Sequence, residues 1–333
     1  MRWIIMIINK SVLLLLIIVA LSGQGFAQGG GIHKVGTTSF QFLKVSPDAR
    51  LTAMGQAGVS VTNSSQAVFS NPGCLSRIED FDVSISYIDW LLDMSHTAVS
   101  AAKSIRGVGT FALHAVISDV GEIEETSVEY LFRDEATGFY NPGLTGNTFS
   151  PGTQVFGLSF SRYMTNKFAF GLTAKYARED LGAKSASSVI FDGGVIYNTD
   201  FRSLQLAASI LNFGPEIEYI DESYPLPQIL TIGISLHIFA PNEAMFFQMN
   251  QNKLLLAFDM VEARDYGQQY QLGMEYDFNE MLFLRGGYKI NYDIQGLTMG
   301  FGLKFFNTRV DYSYNEYGEY FDSVHRFTIG FTK

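Results

Sequence analysis

The side chains that most often carry out catalysis are few in this 333-residue chain. There is one cysteine, Cys74, and the five histidines are scattered from the N-terminal region to the C-terminal end; they are His33, His96, His114, His237 and His325. A nucleophilic enzyme needs a nucleophile beside a positioned base, and a metal site needs a spaced set of ligands. Neither pattern occurs, so we predict a protein that is not an enzyme and that uses no metal or cofactor.

The residues best suited to act on another molecule lie in one N-terminal segment. Ser46 can cap a helix, Pro47 suits the first helical position, and Asp48 is favourable near the positive helix end. Gly55 and Gly58 should end this helix, because glycine terminates helices readily. The segment therefore predicts a short helix.

A tight turn is predicted farther on, at Asn71-Pro72-Gly73, where Pro72 fixes φ and Gly73 allows a positive φ. Before it, Asp48 and Arg50 are expected to cap the helix and to pair with a buried charge, since an unpaired buried charge is costly. A direct role of this pair in gating is the alternative. The segment as a whole is either a cap packed on a sheet or a plug inside a barrel.

The elements that must position this segment are strands. In the stretch 296–305, apolar side chains fall on one face and small or polar side chains on the other, which is the period of a strand. About fourteen such stretches follow Phe81, and lengths of about nine to eleven residues suit a tilted membrane crossing. Their connections alternate between short turns and longer loops, with 239–252 as an exception, as expected of a membrane barrel.

The fold class predicted from these patterns is a closed antiparallel transmembrane β-barrel of about fourteen strands with an N-terminal plug of short helices. Aromatic residues make up 14% of the chain, which suits girdles at a membrane interface. A soluble β-protein with its apolar face inward is the rival, but about fourteen strands enclose a lumen too wide for side chains to fill. The net charge of -10 argues against nucleic acid as a partner.

An export signal is predicted at the N-terminus. Arg2 and Lys10 lie before an apolar run at 11–21, which is the pattern of a secretory signal peptide. Cleavage is expected before Gln28. The alternative is that the run remains as an uncleaved anchor helix. The predicted organisation is a signal peptide at 1–27, a lead and plug at 28–78, and a barrel at 79–333. Outer-membrane lipid is the expected partner of the barrel, and the cell outer membrane its location.

Six segments carry a resemblance to a known family. They are Phe42 to Val59 with Pro47-Asp48-Ala49-Arg50 at its centre, Asn71-Pro72-Gly73-x-Leu75, Tyr87-x-x-Trp90-Leu91-x-Asp93, Asn212-Phe213-Gly214-Pro215, Tyr224-Pro225-Leu226-Pro227, and Val310 to Tyr314 with His325-Arg326. Together they resemble the PorV/PorQ family over almost the whole mature chain. The resemblance implies a fourteen-stranded outer-membrane barrel related to the FadL transporters of hydrophobic compounds.

The same resemblance implies roles for individual residues. The N-terminal segment would plug the lumen, and Asn71-Pro72 would occupy the place of an Asn-Pro-Ala hatch motif, with Gly73 replacing the usual alanine. Pro47, Asp48, Arg50, Gly55, Gly58, Asn71, Pro72 and Gly73 are thus the candidate plug and hatch residues. Trp90, Leu91, Leu92 and Met94 are expected at the outer rim, either as interface anchors or as a patch for docking or ligand entry.

Two functions remain open at this point. The first is a FadL-like conduit for a hydrophobic small molecule, which predicts an apolar pocket beside the plug. The second, implied by some members of the family, is a type IX secretion component that binds the C-terminal signal domain of cargo proteins and passes it to a surface attachment complex. The long acidic loop 118–153, with Glu122, Glu124, Glu125 and Glu129, motivates the second function.

Overall fold

The computed structural model describes residues 35–135, 138–249, 251–318 and 321–333. The predicted signal peptide lies outside these residues. Within them, no helix combines the length and the apolar character that a membrane crossing by a helix requires.

Fourteen antiparallel strands form one closed barrel, as the sequence predicted. They are β1 (Phe81–Asp89), β2 (Ser95–Ile105), β3 (Gly109–Asp119), β4 (Gly152–Tyr163), β5 (Phe168–Asp180), β6 (Ser185–Asn198), β7 (Gln205–Phe213), β8 (Ile229–Ala240), β9 (Asn252–Ala263), β10 (Gln269–Phe278), β11 (Leu282–Ile290), β12 (Leu297–Phe305), β13 (Thr308–Asn315) and β14 (Val324–Thr332). Each strand pairs with its neighbours in sequence, and β14 pairs with β1 to close the barrel.

The alternation of side chains decides which face of each strand points outward. In β12, Leu297, Met299, Phe301, Leu303 and Phe305 are between 43% and 68% exposed, whereas Thr298 between them is buried. The same pattern recurs around the barrel, with serine, threonine and charged side chains facing the lumen. A closed barrel with an apolar outer surface is the strand architecture that can span a bilayer, because it leaves no unpaired edge.

The two ends of the barrel differ in their connections, as predicted. At the end where residue 81 and the C-terminus lie, here called the turn end, most connections are short. At the opposite end, the loop end, the longest connection carries a hairpin of Ile123–Arg133 and Tyr140–Phe149, and a smaller pair joins Ile217–Glu218 to Ser223–Tyr224. One connection at the turn end, between β8 and β9, is long, as the sequence indicated. It folds back so that its segment Phe247–Gln248 pairs in parallel with the end of β8.

The N-terminal segment 35–78, here called the plug, lies inside the barrel. It contains the helix α1 (Ala49–Ala53) and 3-10 turns at Gln41–Lys44, Ser65–Phe69 and Pro72–Arg77. Helix α1 packs against β11–β14, whereas Pro72–Arg77 packs against β3–β6. The plug therefore spans the lumen from one wall to the other, and of the two interpretations of this segment the plug is the one observed.

Helix α1 begins later than the sequence suggested. Its N-cap is Asp48, whose Oδ1 accepts a hydrogen bond from the Leu51 N–H at 3.2 Å, and not Ser46. Pro47 is buried just before the cap, outside the helix. Asp48 is preferred because its carboxylate satisfies a free N–H and also favours the positive helix end.

Candidate functional site: a plugged lumen with a cavity on either side

Glycines in the wall let the plug backbone come close at its first anchor. Gly171 on β5 and Gly194 on β6 lie beneath Asn71-Pro72-Gly73. A Cβ added to Gly171 would lie 2.5 Å from the Gly73 nitrogen, and one added to Gly194 would lie 2.9 Å from the Asn71 Cγ. Any larger residue at these positions would push the plug off the wall.

A second glycine anchor lies on the opposite wall, beneath α1. A Cβ on Gly287 would come 2.7 Å from the Gly55 Cα, and one on Gly300 would come 2.7 Å from the Ala53 Cβ. Gly55 itself has φ +66°, a conformation that glycine adopts without strain. Its N–H donates to the Thr298 Oγ1 at 2.8 Å, so the turn that ends α1 is also tied to β12.

Asn71 joins the plug to itself and to the wall. Its Nδ2 donates to the Val59 carbonyl at 2.8 Å and to the Val195 carbonyl on β6 at 3.1 Å, while its Oδ1 accepts from the Gly73 N–H at 2.9 Å. The side chain is fully buried. One amide thus closes the turn and fixes it to the barrel.

The sequence analysis explained Gly73 by a positive φ in a tight turn, and this explanation was wrong. Gly73 does not have a positive φ; it is the second residue of a 3-10 turn over Pro72–Arg77 that Asn71 caps. What excludes a side chain there is distance, because a Cβ would lie 2.8 Å from the Gly194 carbonyl oxygen. The Gly73 carbonyl also accepts from the Ser161 Oγ at 3.0 Å on β4.

Arg50 links the plug to a chain of ion pairs on the wall. Its guanidinium bonds both oxygens of Glu275 at 2.8 and 2.7 Å. Arg285 contacts Glu275 at 2.6 Å and Asp311 at 2.7 Å, and Arg309 contacts the other oxygen of Asp311. The expected pairing of Arg50 with a buried charge is present, and two-oxygen contacts of this kind fix geometry as well as charge.

The N-terminal part of the plug is held at the loop end by a cluster around Asp265. Its Oδ2 accepts from Lys44, from the Thr38 Oγ1 at 3.0 Å and from Gln41 at 3.2 Å. Burial would raise the pKa of this carboxyl, but the hydrogen bonds and the charge of Lys44 hold the pKa below its usual value. The cluster is therefore a charged clasp between the plug and the loop after β9.

A cavity of about 290 Å³ lies between the plug, β7–β10 and the loop after β11, toward the loop end. We call it the loop-end cavity. Its apolar lining comes from the plug and from β7–β9 and includes Leu43, Val45, Leu51, Val59, Phe69, Leu211, Ile229 and Val261. Its polar lining includes Asp259, Gln269, Gln271 and Tyr292. Lys44, Ser46, Gln56, Ser70, Thr231, Tyr266, Asp293 and Gln295 line it too, so the space beside the plug that the conduit hypothesis required has a mixed lining.

A second cavity, of about 520 Å³, lies at the turn end and has a different character. We call it the turn-end cavity. Charged side chains dominate its lining: Arg50, Arg77, Lys253, Glu275, Asp277, Glu280, Arg285, Lys304 and Arg309. The plug therefore separates two spaces, of which the turn-end cavity has the larger share of charged side chains in its lining.

The four predicted rim residues do not form one patch. Trp90 is half-buried and faces Tyr317, His96 and Arg326, at 5.4, 5.7 and 5.3 Å from its ring. Leu91 packs in the same cluster, together with Val45 of the plug. Leu92 is 76% exposed with φ +58°, and Met94 is half-buried.

Two irregularities interrupt the described wall, and side chains bridge both. At β6–β7 the register shifts beside Asp192, whose Oδ1 accepts from the Asn212 N–H at 2.7 Å. At β8–β9 the register shifts at His237, whose N–H donates to the Ser203 Oγ at 2.9 Å. Side-chain oxygens thus accept from backbone donors at both places.

Sequence reasoning missed the wall glycines and Asp259. Gly171, Gly194 and Gly287 interrupt otherwise ordinary strand patterns, and an isolated strand glycine can signal a close approach of another backbone. Nothing in the sequence could say which backbone approaches. In the sequence Asp259 looks like any other lumen-facing polar residue, and only the structure shows that it accepts hydrogen bonds from the Gly58 and Val59 N–H groups of the plug.

Comparison with known proteins shows the fold. The toluene transporter TbuX of Ralstonia pickettii is 14% identical, with a TM-score of 0.56 over 89% of this chain and 99% of that one. The Pseudomonas putida toluene transporter TodX is 14% identical, with a TM-score of 0.52 over 85% and 96%. The monoaromatic hydrocarbon channel CymD is 13% identical, with a TM-score of 0.50 over 89% and 98%. The barrel thus shares the fold of these two transporters and this channel.

No model of a protein family matches the sequence, and no curated protein matches it either.

Proposed function

We propose that this protein is an outer-membrane conduit of the PorV/PorQ type that carries hydrophobic small molecules across the membrane. The observation that carries the proposal is the loop-end cavity, a space of about 290 Å³ between the plug and the wall that is lined by apolar side chains together with polar ones. Concave spaces that combine apolar walls with polar groups are the usual form of small-molecule sites. The FadL-like fold shared with toluene transporters and a hydrocarbon channel supports the same function.

Passage along the barrel axis requires the plug to shift. The loop-end and turn-end cavities lie on either side of it, and both glycine anchors seat it directly on the wall. At both irregularities of the described wall, a side-chain oxygen accepts a hydrogen bond from a backbone N–H. We infer that Asn71, Pro72 and Gly73 form the movable hatch, and that Asp48 and Arg50 hold the opposite anchor during this movement.

A reversible lock on the plug tests this mechanism. The Ser65 Oγ on the plug and the Ser100 Oγ on β2 are 2.8 Å apart, so Ser65→Cys with Ser100→Cys should form a disulfide. In a Cys74→Ser background, we expect cells with the oxidised pair to lose uptake of labelled toluene and to recover it with a reductant. Each single cysteine variant is the control, and oxidised cells that still take up toluene at the single-variant rate would contradict a moving plug.

The type IX secretion function is the second candidate. The hairpin of Ile123–Arg133 and Tyr140–Phe149 projects from the loop end, and it exposes large apolar side chains among its acidic ones. Val128 is 86% exposed and Phe132 51% exposed, and exposed apolar clusters can mark protein-binding surfaces. In this role the hairpin would take part in binding the signal domain of the cargo.

Removing residues 123–149 separates the two candidates. A secretion component without this hairpin should leave exported cargo inside the cell envelope, whereas a conduit should keep its toluene uptake. Normal cargo secretion both in this variant and in a strain lacking the whole protein would exclude the secretion role. Fractionation of cells and heat-dependent migration of the barrel on a gel would test the proposed outer-membrane location.

A further inference from the structure

The lining of the turn-end cavity gathers positive charge in a chain that is acidic overall. The sequence carries 23 lysines and arginines against 33 aspartates and glutamates. Six of those cations line this one space, and the carboxylates among its described lining are three, Glu275, Asp277 and Glu280. The excess of cations here is therefore local and does not follow from the overall composition.

The three carboxylates of this lining are already paired. Lys253 contacts both Asp277 and Glu280, at 3.7 and 2.5 Å. Glu275 binds the arginine of the plug and an arginine of the wall, as described above. Within the described lining, no carboxylate is thus left to neutralise a further cation.

Two cations face each other at the mouth of the cavity. Lys304 near the end of β12 and Arg309 near the start of β13 are directly opposite residues of this antiparallel pair, and both line the cavity. Like charges directly opposite each other on one face of a sheet are destabilising. Among the described residues, no carboxylate oxygen lies within 4.0 Å of the Lys304 Nζ, and Arg309 shares Asp311 with Arg285. The terminal nitrogens of Arg309 have no acceptor in the described part of the chain, since its bond to Asp311 uses the Nε.

Two other buried carboxylates in this region are bound elsewhere. Asp48 caps α1, where it accepts from the Leu51 N–H. Asp82 accepts from the Ser65 N–H at 2.6 Å and from the Thr332 hydroxyl at 2.6 Å. Neither carboxylate lies within 4.0 Å of a lysine or arginine nitrogen in the described ranges. The facing charges on β12 and β13 therefore await an acceptor from outside the chain.

We propose that the turn-end cavity binds a phosphate-type dianion between Lys304 and Arg309. A dianion compensates both facing charges at once, whereas a single carboxylate compensates one. The guanidinium offers a fork of donors that matches phosphate, and lysine adds a point charge. The amide of Asn307, in the turn between the two strands, lines the same space and supplies a further donor. The volume of about 520 Å³ also leaves room for water around the anion, since a water takes roughly 30 Å³ in the liquid.

The dianion reaches this site from the water at the turn end. Leu303 and Phe305, on either side of Lys304, are 50% and 68% exposed and face outward, so Lys304 itself faces the lumen. Free phosphate or the phosphate monoester of a small solute can enter there, whereas a lipid headgroup would have to draw its acyl chains into a polar space. The site lies on the other side of the plug from the loop-end cavity, so it does not depend on the conduit proposed above.

Equilibrium dialysis with labelled inorganic phosphate tests the site, with the purified protein in a maltoside detergent at low salt. We expect saturable binding to the wild-type protein. Lys304→Gln should weaken it about tenfold, which is the range for loss of a hydrogen bond between charged groups. Lys167→Gln is the matched control, because it removes an exposed turn-end lysine that pairs with Asp200 outside the cavity lining, and it should leave phosphate binding unchanged.

Thermal unfolding separates a ligand site from a purely structural lysine. Because Lys304 faces a like charge, Lys304→Gln should keep or raise the unfolding temperature in phosphate-free buffer. Added phosphate should raise the unfolding temperature of the wild type and of Lys167→Gln, and much less that of Lys304→Gln, since a ligand stabilises the state that binds it. A lower unfolding temperature of Lys304→Gln without phosphate would show that the lysine serves the fold, and the proposal would be overturned.

Competition identifies the class of anion and its source. Sulfate should displace phosphate, and acetate at the same ionic strength should displace it far less. Equal displacement by acetate would reduce the effect to general screening and overturn the dianion site. Absence of saturable binding, or displacement of phosphate by added phosphatidylglycerol, would overturn it as well, because the second result would place the binding groups on the lipid side of the wall.

Discussion

At the scale of single residues, the lumen is shaped by absent side chains as much as by present ones. Gly194 leaves room for the Asn71 amide, and the Asn71 amide binds the Val195 carbonyl beside it. Because Gly194 has no side chain, Asn71 can come close enough to the wall to form this hydrogen bond, and the hydrogen bond in turn holds the plug at that distance. A hatch built in this way depends on a glycine of the wall as much as on its own Asn-Pro pair.

Two adjacent glycines provide a matched test of this contact. A Cβ on Gly194 would lie 2.9 Å from the Asn71 Cγ and 3.0 Å from the Pro72 Cδ, whereas a Cβ on Gly193 would meet only ordinary contacts from 3.6 Å outward. We expect Gly194→Ala to destabilise plug seating by about 1–3 kcal/mol, the usual cost of overpacking, and Gly193→Ala to have little effect. Limited proteolysis of the plug measures this, and equal protection in both variants would contradict it.

At the scale of elements, the plug is fastened differently along its length. The ion pairs of Arg50 with Glu275 and the glycine anchors hold its middle and its end, whereas the charged clasp around Asp265 holds its first turn. The clasp involves a loop rather than a strand, so it can open without disturbing the barrel ladder. We expect the first turn to be the part of the plug that loosens most easily.

Asp265→Asn tests the clasp. The change removes the charge that holds Lys44, so amide hydrogen exchange should rise at 38–44 and stay unchanged in α1. Because the pKa of Asp265 is held below its usual value, the clasp stabilises the fold fully above the unfolded pKa of about 3.9 and weakens as pH falls through the folded value.

Acidic conditions should therefore make the wild-type exchange at 38–44 resemble that of the variant. The matched control is Lys103→Gln, which removes the exposed pair with Asp80 at the turn end and should leave exchange in the plug unchanged. Slow exchange of 38–44 in Asp265→Asn at neutral pH would show that the clasp does not hold this turn.

At the scale of the whole molecule, the outward apolar surface is the property that a membrane location requires. Met274 lies near the centre of β10, points outward and is 47% exposed, whereas Phe306 lies in a turn and is 83% exposed. Charge is costly on the lipid face near the bilayer centre and much cheaper near the interface. The depth of a residue should therefore control the effect of a charged substitution.

Met274→Arg should cost about 2–4 kcal/mol of folding free energy in a bilayer, and Phe306→Arg about 0–1 kcal/mol. Urea titration of folding into lipid vesicles measures both values. The comparison controls for the added charge, since the same residue is introduced twice. Similar costs at the two sites would contradict a lipid-facing outer wall.

The sequence by itself determined the barrel. Side chains alternate with a period of two, and this alternation fixes which residues share a face before any strand pairs with another. Turn residues such as Asn279 and Asn307 marked where most strands end, and the lengths of the connections separated the two ends of the barrel. These are local properties, so they can be read without knowing the partners.

Only the tertiary structure decided how the plug is seated and where the cavities lie. Gly171 and Gly287 acquire their meaning from backbone that is distant in the chain, and the carboxylate of Asp259 from N–H groups about two hundred residues earlier. Trp90, expected at the outer rim, directly follows β1 at the loop end, and only the tertiary structure showed that its ring packs against Tyr317 and Arg326. Contacts of this kind arise when the closed wall surrounds the plug, and no local pattern in the sequence encodes them.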